Sequence, residues 1–315
     1  DKVIMAEVRP NGLDIVRVFS IDIDQYCEFG LNEEDAPKES WARYIFGICR
    51  EIQKRGGDVK GFDAVFAGNV PLGAGLSSSA ALESCFAFAL NDLYNGNNID
   101  KFELARIGQS TEHNYCGVNC GIMDQFASVF GRKGNLMRLD CRSMEFEYFP
   151  FSPENYRLVL VDSRVKHELA DSPYNKRRES CERVAKRLGI ETLRDATMEA
   201  LNRIKTEITA EDFFRAKFVI EEKERVLAVC DALNAGDYET VGRKMYETHA
   251  GLSKDYEVSC EELDFLNDVA KELGVTGSRI MGGGFGGCTI NLLPNDLHDK
   301  FVKEVTARFN EKYGH

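Results

Sequence analysis

The order of apolar and polar positions predicts strands at the start of the chain, followed by a helix. Residues 2–9 and 14–21 carry β-branched side chains in partial alternation on either side of Asn11-Gly12, so we interpret them as a hairpin. Residues 41–55 show apolar side chains at helical spacing and stop at Gly56-Gly57, a typical C-terminal signal. This first segment therefore predicts a hairpin and then a helix.

An almost wholly apolar run from Ser79 to about residue 94 predicts a buried helix. A short strand is expected before it, at residues 62–67, and a second helix after it, from the Asp100 cap to about residue 115. Residues 133–149 alternate as two strands, and a further strand is expected at 157–162.

Long charged helices follow that last strand. These helices are predicted at 174–188, 211–236, 237–253 and 259–273. A strand at 288–293 and a final helix after Asn295 are expected to follow them. The shift in composition places a boundary near residue 155, which predicts domains at 1–155 and 156–315. Hairpins and helices without regular βαβ alternation predict the α+β class.

Composition changes this picture mainly through charge. The 315 residues are 43% hydrophobic and 29% charged, a globular composition with enough apolar mass for two cores. The net charge is −12, which disfavours nucleic acid and anionic lipid as partners. A polyanionic ligand would therefore be held locally by backbone amides, a metal ion and a few cations.

Neither a membrane-spanning segment nor a metal site formed by cysteines is expected. No apolar run approaches the length that spans a bilayer. The ten cysteines lack the paired spacing of a metal site, so we interpret them as reduced thiols of a cytoplasmic protein.

The strongest chemical signal is a glycine loop that leads from a strand into the apolar helix, Gly68 to Leu82. Gly73 and Gly75 let the backbone approach phosphate oxygens closely, and the serines at 77–79 lie where first-turn amides lack intrahelical partners. No lysine follows the glycines, so this is not the Walker pattern. The alternative is a plain serine N-cap on a core helix.

A second group of residues, Glu112 to Gln125, places two carboxylates around a loop that contains Gly117 and Gly121. Glu112 and Asp124 suit separate tasks, one on a cation and one on a substrate hydroxyl. Alternatively, Asp124 is a helix N-cap and Glu112 is a solvated side chain.

A third glycine-rich segment, Gly277 to Ile290, has six glycines within eleven residues. Such a density indicates close backbone approach to a ligand or another loop, whereas the alternative is a flexible linker. His113 shows no ligand spacing and is expected to be structural or on the surface. The cluster Lys176-Arg-Arg178 is expected to be a solvated helix start rather than an anion site.

Three motifs together resemble the galactokinases, members of the superfamily that also holds homoserine, mevalonate and phosphomevalonate kinases. They are Pro71-Leu-Gly-Ala-Gly-Leu-Ser-Ser-Ser-Ala80, Cys120-Gly-Ile-Met-Asp-Gln125 and Gly282-Gly-Gly-Phe-Gly-Gly-Cys-Thr289. The resemblance implies the two-domain GHMP kinase fold, with an N-terminal domain like ribosomal protein S5 and a C-terminal ferredoxin-like domain.

The resemblance also implies roles for particular residues. Ser79 and Glu112 would hold Mg²⁺, Asp124 would be the catalytic base, and Gly121, Asp124 and Tyr174 would contact the sugar. The third glycine segment would brace the substrate and phosphate loops. The ATP phosphates would be wrapped by Gly73, Ala74, Gly75, Leu76, Ser77, Ser78 and Ser79.

The implied activity is transfer of the γ-phosphate of ATP to the anomeric hydroxyl of galactose by a cytoplasmic monomer. Its partners would be ATP and galactose, with neither nucleic acid nor membrane. Two alternatives stay open: a catalytically silent sensor of sugar and ATP, and a kinase for another substrate, either a related sugar such as N-acetylgalactosamine or a non-sugar alcohol.

Two departures from the family pattern affect these expectations. Galactokinases carry an Arg-x-Asn-Leu-Ile-Gly-Glu-His-x-Asp-Tyr segment that clamps the sugar and is not present here. Because residue 1 is Asp, we expect the natural protein to continue upstream; alternatively, the molecule lacks the segment and is inactive. The second departure is Arg279-Ile-Met281, where the family usually has Arg-Met-Thr.

Overall fold

Helices and strands alternate irregularly along the chain in the structure, a computed structural model that describes residues 2–71, 75–165 and 173–314. The strands are β1 Ile4–Pro10, β2 Ile15–Ser20, β3 Gln25–Gly30, β4 Phe62–Gly68, β5 Asn135–Leu139, β6 Phe146–Pro150, β7 Tyr156–Asp162, β8 Gly277–Ile280 and β9 Cys288–Pro294. The helices are α1 Ser40–Lys54, α2 Ser78–Asn95, α3 Lys101–Thr111, α4 Met123–Phe130, α5 Pro173–Leu188, α6 Met198–Arg203, α7 Ala210–Ala235, α8 Tyr238–Lys254, α9 Glu261–Glu272 and α10 His298–Tyr313.

The described residues divide into two compact units. One unit holds residues 2–71, 76–133 and 139–147, and the other holds residue 75 together with 134–138, 148–165 and 173–314. The strands β5 and β6 pair with each other as a separate two-stranded sheet. The boundary at 155/156 that the composition suggested stays a prediction.

The first unit is built on a four-stranded sheet in the order β1-β4-β2-β3. β1 runs antiparallel to β4, β2 runs antiparallel to β3, and β2 and β4 are parallel. The hairpin predicted for residues 2–21 is therefore wrong, because β4 lies between its two strands. The amide of Asn11 donates to Gly61 O at 3.1 Å, and Gly61 N donates to Leu13 O at 3.1 Å. The residue before β4 therefore bonds to both sides of the turn that would have joined β1 directly to β2.

Helices α1, α2 and α3 pack on one another to complete this unit. Their apolar faces share one core with the sheet, which explains why α1 has apolar side chains at helical spacing. Phe86 of α2 meets Phe62 and Phe66 of β4, with ring centroids 6.2 and 5.9 Å apart. This packing holds the middle of α2 against the sheet.

The second unit contains the antiparallel sheet β7-β9-β8 and helices α5 to α10. α7 packs against α5 and α8, and α8 also packs on β8. The faces of α9 and α10 form a separate apolar cluster with Leu293 of β9. Within the described residues, no helix is both long and apolar enough to cross a bilayer.

The helices predicted at 41–55, 79–94, 174–188, 211–236, 237–253 and 259–273 are confirmed to within one or two residues at most ends. β3, β8, α4 and α6 were not predicted. β8 is a strand of four residues at the start of the third glycine segment, and the many glycines there gave no strand pattern. The α+β class is confirmed.

Replacement of Phe86 by alanine tests the core of the first unit. Phe86 is fully buried, so Phe86→Ala should lower the free energy of unfolding by about 3–5 kcal/mol through lost transfer energy and the cavity left behind. Urea unfolding followed by circular dichroism measures this loss. The control is Phe214→Ala, where the side chain is 46% exposed, and the loss should be smaller. Equal losses would contradict the assigned packing.

Candidate active site

The start of α2 has an unusual backbone. Ser77, the N-cap residue, adopts the left-handed conformation with φ 55° and ψ 47°, and its hydroxyl makes no capping hydrogen bond. The Ala81 amide donates to Ser77 O at 3.1 Å, so the amides of Ser78 and Ser79 lie in the first turn, where helical geometry leaves them without intrahelical acceptors. The alternative of a serine whose hydroxyl caps the helix is therefore wrong. The free first-turn amides and the helix dipole favour an anion at this end.

Part of the predicted phosphate loop lies outside the described residues, namely Gly73 and Ala74. Gly75 is exposed, with φ 72°, and Leu76 is half-buried. A Cβ added at Gly75 would lie 3.4 Å from Met281 O and 3.9 Å from Cys288 N, so Gly75 runs beside the third glycine segment. This close approach is what the glycine density of that segment indicated.

Glu112 begins a turn of π-helix, Glu112–Cys116, that continues α3. Its side chain is buried and accepts hydrogen bonds from the Ser79 hydroxyl and the Cys120 thiol. Burial raises the pKa of Glu112; the two hydrogen bonds oppose this rise and the charge of Asp124 adds to it. Glu112 is therefore not the solvated side chain of the alternative interpretation.

Asp124 lies in the first turn of α4 and is half-buried. Ile122 occupies the N-cap, so Asp124 is not the helix cap that its sequence position also allowed. The loop before it is tied to α3 and the π-turn through Cys120 O, which lies 3.2 Å from Gln109 Nε2 and 2.8 Å from His113 Nε2. His113 is therefore structural, as expected.

Gly121 and Tyr174 were predicted to contact a substrate. Gly121 is exposed, and a Cβ added there would meet no atom within 4 Å. Tyr174 lies in the first turn of α5, but its side chain is outside the described part of the chain. The structure therefore leaves the roles of both residues as predictions.

Glu83 on α2 adds a third carboxyl group beside Glu112 and Asp124. It is 1% exposed, and Gln125 Nε2 donates to its Oε2 at 3.0 Å. Burial raises the pKa of Glu83 well above its usual range; the charges of Glu112 and Asp124 raise it further, and the Gln125 hydrogen bond opposes them. Three acidic groups thus influence one another at the junction of α2, α3 and α4.

The Ser79 and Glu112 pair fits a magnesium ion shared with a nucleotide. Over the described ranges, no group of three or more His, Cys, Asp or Glu side chains has the geometry of a metal site. Mg²⁺ in kinases is commonly held by one or two carboxylates together with substrate phosphates and water. The Ser79 hydroxyl, hydrogen-bonded to the buried Glu112 carboxyl and located in the first turn of α2, provides ligands of this kind.

The third glycine segment is held by contacts within its own unit. Phe285 N donates to Val258 O at 2.6 Å, and the Arg177 guanidinium lies 5.3 Å from the Phe285 ring centroid. Arg177 is buried and donates to Tyr256 O at 2.9 Å. The prediction of a solvated helix start is therefore wrong for Arg177, and the flexible-linker alternative for the glycine segment is wrong as well.

Sequence reasoning missed Glu83 and gave Gln125 no role. A signal for Glu83 was present, because it is the one charged residue in the apolar run Ala80 to Leu90. A charge in such a run is costly unless it is paired or neutral, which marks it for attention. No sequence signal identified Gln125 as its partner.

Comparisons with known proteins identify the class. Residues 43–132 match the family model described as GHMP kinases N terminal domain, and residues 230–311 match GHMP kinases C terminal. The Leishmania major mevalonate kinase structure, at 20% identity, covers 98% of this chain and 83% of its own with a TM-score of 0.62, which supports the fold alone. The class is therefore the GHMP kinases.

Two relatives narrow the class further. A galactokinase from Thermotoga petrophila is 43% identical over 275 residues, which is 87% of this chain and 77% of the relative. The crystal structure of Lactococcus lactis galactokinase complexed with galactose aligns with a TM-score of 0.93 at 33% identity, over 100% of this chain and 83% of its own. The chain belongs to the galactokinase family.

The raised pKa of Glu83 predicts how stability depends on pH. The folded chain keeps the Glu83 proton at pH values where the unfolded chain, in which a glutamate has a pKa of ~4.3, has lost it. This contribution to stability is complete below that pH and falls as pH rises toward the folded pKa, by at most about 1.4 kcal/mol per pH unit. Glu83→Gln has no such proton, so its unfolding free energy relative to wild type should increase as pH rises above ~4.3.

Urea unfolding of both proteins across a pH series measures this difference. The matched control is Glu34→Gln, because Glu34 is exposed and its difference from wild type should stay almost constant with pH. A difference between Glu83→Gln and wild type that does not change with pH would contradict the assignment.

Proposed function

We propose that this chain transfers the γ-phosphate of ATP to the anomeric hydroxyl of α-D-galactose, giving galactose 1-phosphate and ADP. The observation that carries the proposal is the hydrogen bond from Ser79 to the buried Glu112, with the charge of Asp124 close enough to raise the pKa of that carboxyl. In a member of the galactokinase family, this arrangement supports a helix end that would bind phosphate, close to the Asp124 carboxylate that would receive the hydroxyl proton.

Each group would have a separate task. The amides at the start of α2 would bind phosphate oxygens, aided by the helix dipole. Ser79 and Glu112 would hold Mg²⁺, which when bound neutralises charge on the phosphates. Asp124 would orient the anomeric hydroxyl and accept its proton while that oxygen bonds to the γ-phosphorus and the bond to ADP breaks. Phosphoryl transfer depends mainly on such alignment and charge neutralisation.

Exposure of the carboxyl groups supports this division. Asp124 is half-buried, so a sugar hydroxyl can reach it from solvent, whereas Glu112 is buried and suits a fixed ligand. The roles of Gly121 and Tyr174 at the sugar, and of residues 73–76 around the phosphates, are part of the same proposal and rest on the family motif. A cytoplasmic monomer with domains at 1–155 and 156–315 completes it.

An ADP-release assay with ATP, Mg²⁺ and galactose tests the activity. We expect ADP in proportion to galactose, together with a product whose mass is that of a hexose phosphate. Parallel reactions use N-acetylgalactosamine, glucose or no sugar. ATP and galactose binding without ADP release would instead support the sensor, and turnover only with another sugar would replace the proposed substrate.

Replacement of the proposed base tests its assignment. Asp124→Asn keeps the size of the side chain but cannot accept the hydroxyl proton, so kcat should fall by about 10²–10⁴-fold while ATP affinity changes little. Steady-state kinetics and ATP titration measure the two quantities. Asp35→Asn is the control, because Asp35 is exposed and lies outside the site. Near-wild-type ADP production by Asp124→Asn would refute the assignment.

Replacement of Glu112 tests the magnesium assignment. Glu112→Gln removes the charge but keeps the shape, so the Mg²⁺ concentration for half-maximal activity should rise by about 10-fold or more. A Mg²⁺ titration at fixed ATP measures this shift, with Glu34→Gln as the matched exposed control. An unchanged Mg²⁺ requirement would mean that Glu112 does not hold the ion.

A further inference from the structure

A buried acid–amide pair joins α2 to α4. Gln125 Nε2 donates to Glu83 Oε2 at 3.0 Å, and both side chains are 1% exposed. The proposed mechanism uses neither residue. Each lies near one that it does use, since Glu83 is one helical turn after Ser79 on α2 and Gln125 directly follows Asp124 on α4.

The two remaining side-chain oxygens of Glu83 and Gln125 suggest a second hydrogen bond between these residues. Glu83 Oε1 and Gln125 Oε1 are both buried and have no partner among the described residues. Two such oxygens are both acceptors if the carboxyl is ionised. A neutral carboxyl carries one O–H, so a carboxylic acid and a primary amide can exchange two hydrogen bonds. The second bond would run from a protonated Glu83 Oε1 to Gln125 Oε1. Burial also raises the pKa of Glu83, which is consistent with a neutral carboxyl.

α3 packs against the Glu83–Gln125 pair at Gly108. A Cβ added there would lie 2.9 Å from Gln125 Cγ and 3.0 Å from Glu83 Oε2. Glycine at this position therefore lets α3 lie directly on the pair. Removal of one partner would leave the other polar group buried without a hydrogen bond, at a cost that favours a shift of α2 or α4.

We propose that Glu83 is a positioning residue that, through its reciprocal pair with Gln125, fixes Asp124 on α4 relative to Ser79 on α2. This inference rests on the proposed function, in which Ser79 lies at the phosphate side and Asp124 at the accepting hydroxyl. A displacement of about 1 Å in such a site can cost about 10²-fold in rate, so a rigid link between the two helices has a direct catalytic effect.

Three variants of the full chain separate positioning from general stability. Glu83→Met and Gln125→Met keep roughly the side-chain volume but remove the pair, so kcat should fall by about 10- to 100-fold while KM for ATP stays within about threefold. Glu83→Gln can exchange two amide hydrogen bonds with Gln125, so it should keep kcat within about threefold of wild type. The double Met variant should lose no more than either single variant, because the pair acts as one unit.

Amide hydrogen exchange of the intact protein gives a readout that does not depend on activity. The peptide that contains residues 123–130 should exchange faster in Glu83→Met than in wild type and at the wild-type rate in Glu83→Gln, since only the former frees α4 from α2. If Glu83→Met does not fold, Gln125→Met carries the same comparison.

Each outcome supports or overturns the inference. Wild-type kcat in a folded Met variant, or unchanged exchange over residues 123–130, would overturn it. A loss in Glu83→Gln as large as in Glu83→Met would also overturn it, because the charge of Glu83 rather than the pair would then matter. If the wild-type chain releases no ADP with any sugar, the proposed function fails, and the exchange measurement still decides whether the pair positions α4.

Discussion

The burial of carboxyl groups at the junction of α2, α3 and α4 is the constraint on which the candidate site depends. A buried carboxylate is costly unless hydrogen bonds or an opposite charge compensate it. Glu112 receives the Ser79 hydroxyl and the Cys120 thiol, and Glu83 receives the Gln125 amide. These bonds leave acidic groups close together, an electrostatic arrangement that favours a cation. The same contacts therefore hold the helices together and define the chemistry available there.

The apolar packing of α2 gives this junction its precision. Phe86 fixes the helix against β4, so the serines at its start and Glu83 one turn later have set positions relative to the sheet. Phosphoryl transfer needs little covalent chemistry from a protein and much alignment. A helix whose middle residues are buried and whose first turn is half-exposed suits both needs, because packing holds the helix in place while its first-turn amides stay accessible.

Local signals in the sequence predicted most helices but not the pairing of strands. The alternation in residues 2–21 correctly indicated β structure, yet it could not indicate that β4 would lie between β1 and β2. An alternating pattern specifies which face of a strand is buried, whereas the neighbour depends on contacts from distant parts of the chain. The same limit applies to Arg177: its sequence neighbours are charged, but the groups that bury it come from residues 256, 257 and 285.

The sequence by itself determined the α+β class, the helix that begins at the serine triplet, and the two carboxylates around the Cys120 loop, because these follow from periodicity, glycine spacing and residue chemistry. Only the tertiary structure decided that Ser79 meets Glu112 and that Glu83 pairs with Gln125. Each of these contacts joins helices that are separated along the chain. Their geometry depends on how α2, α3 and α4 pack in three dimensions, which no local pattern encodes.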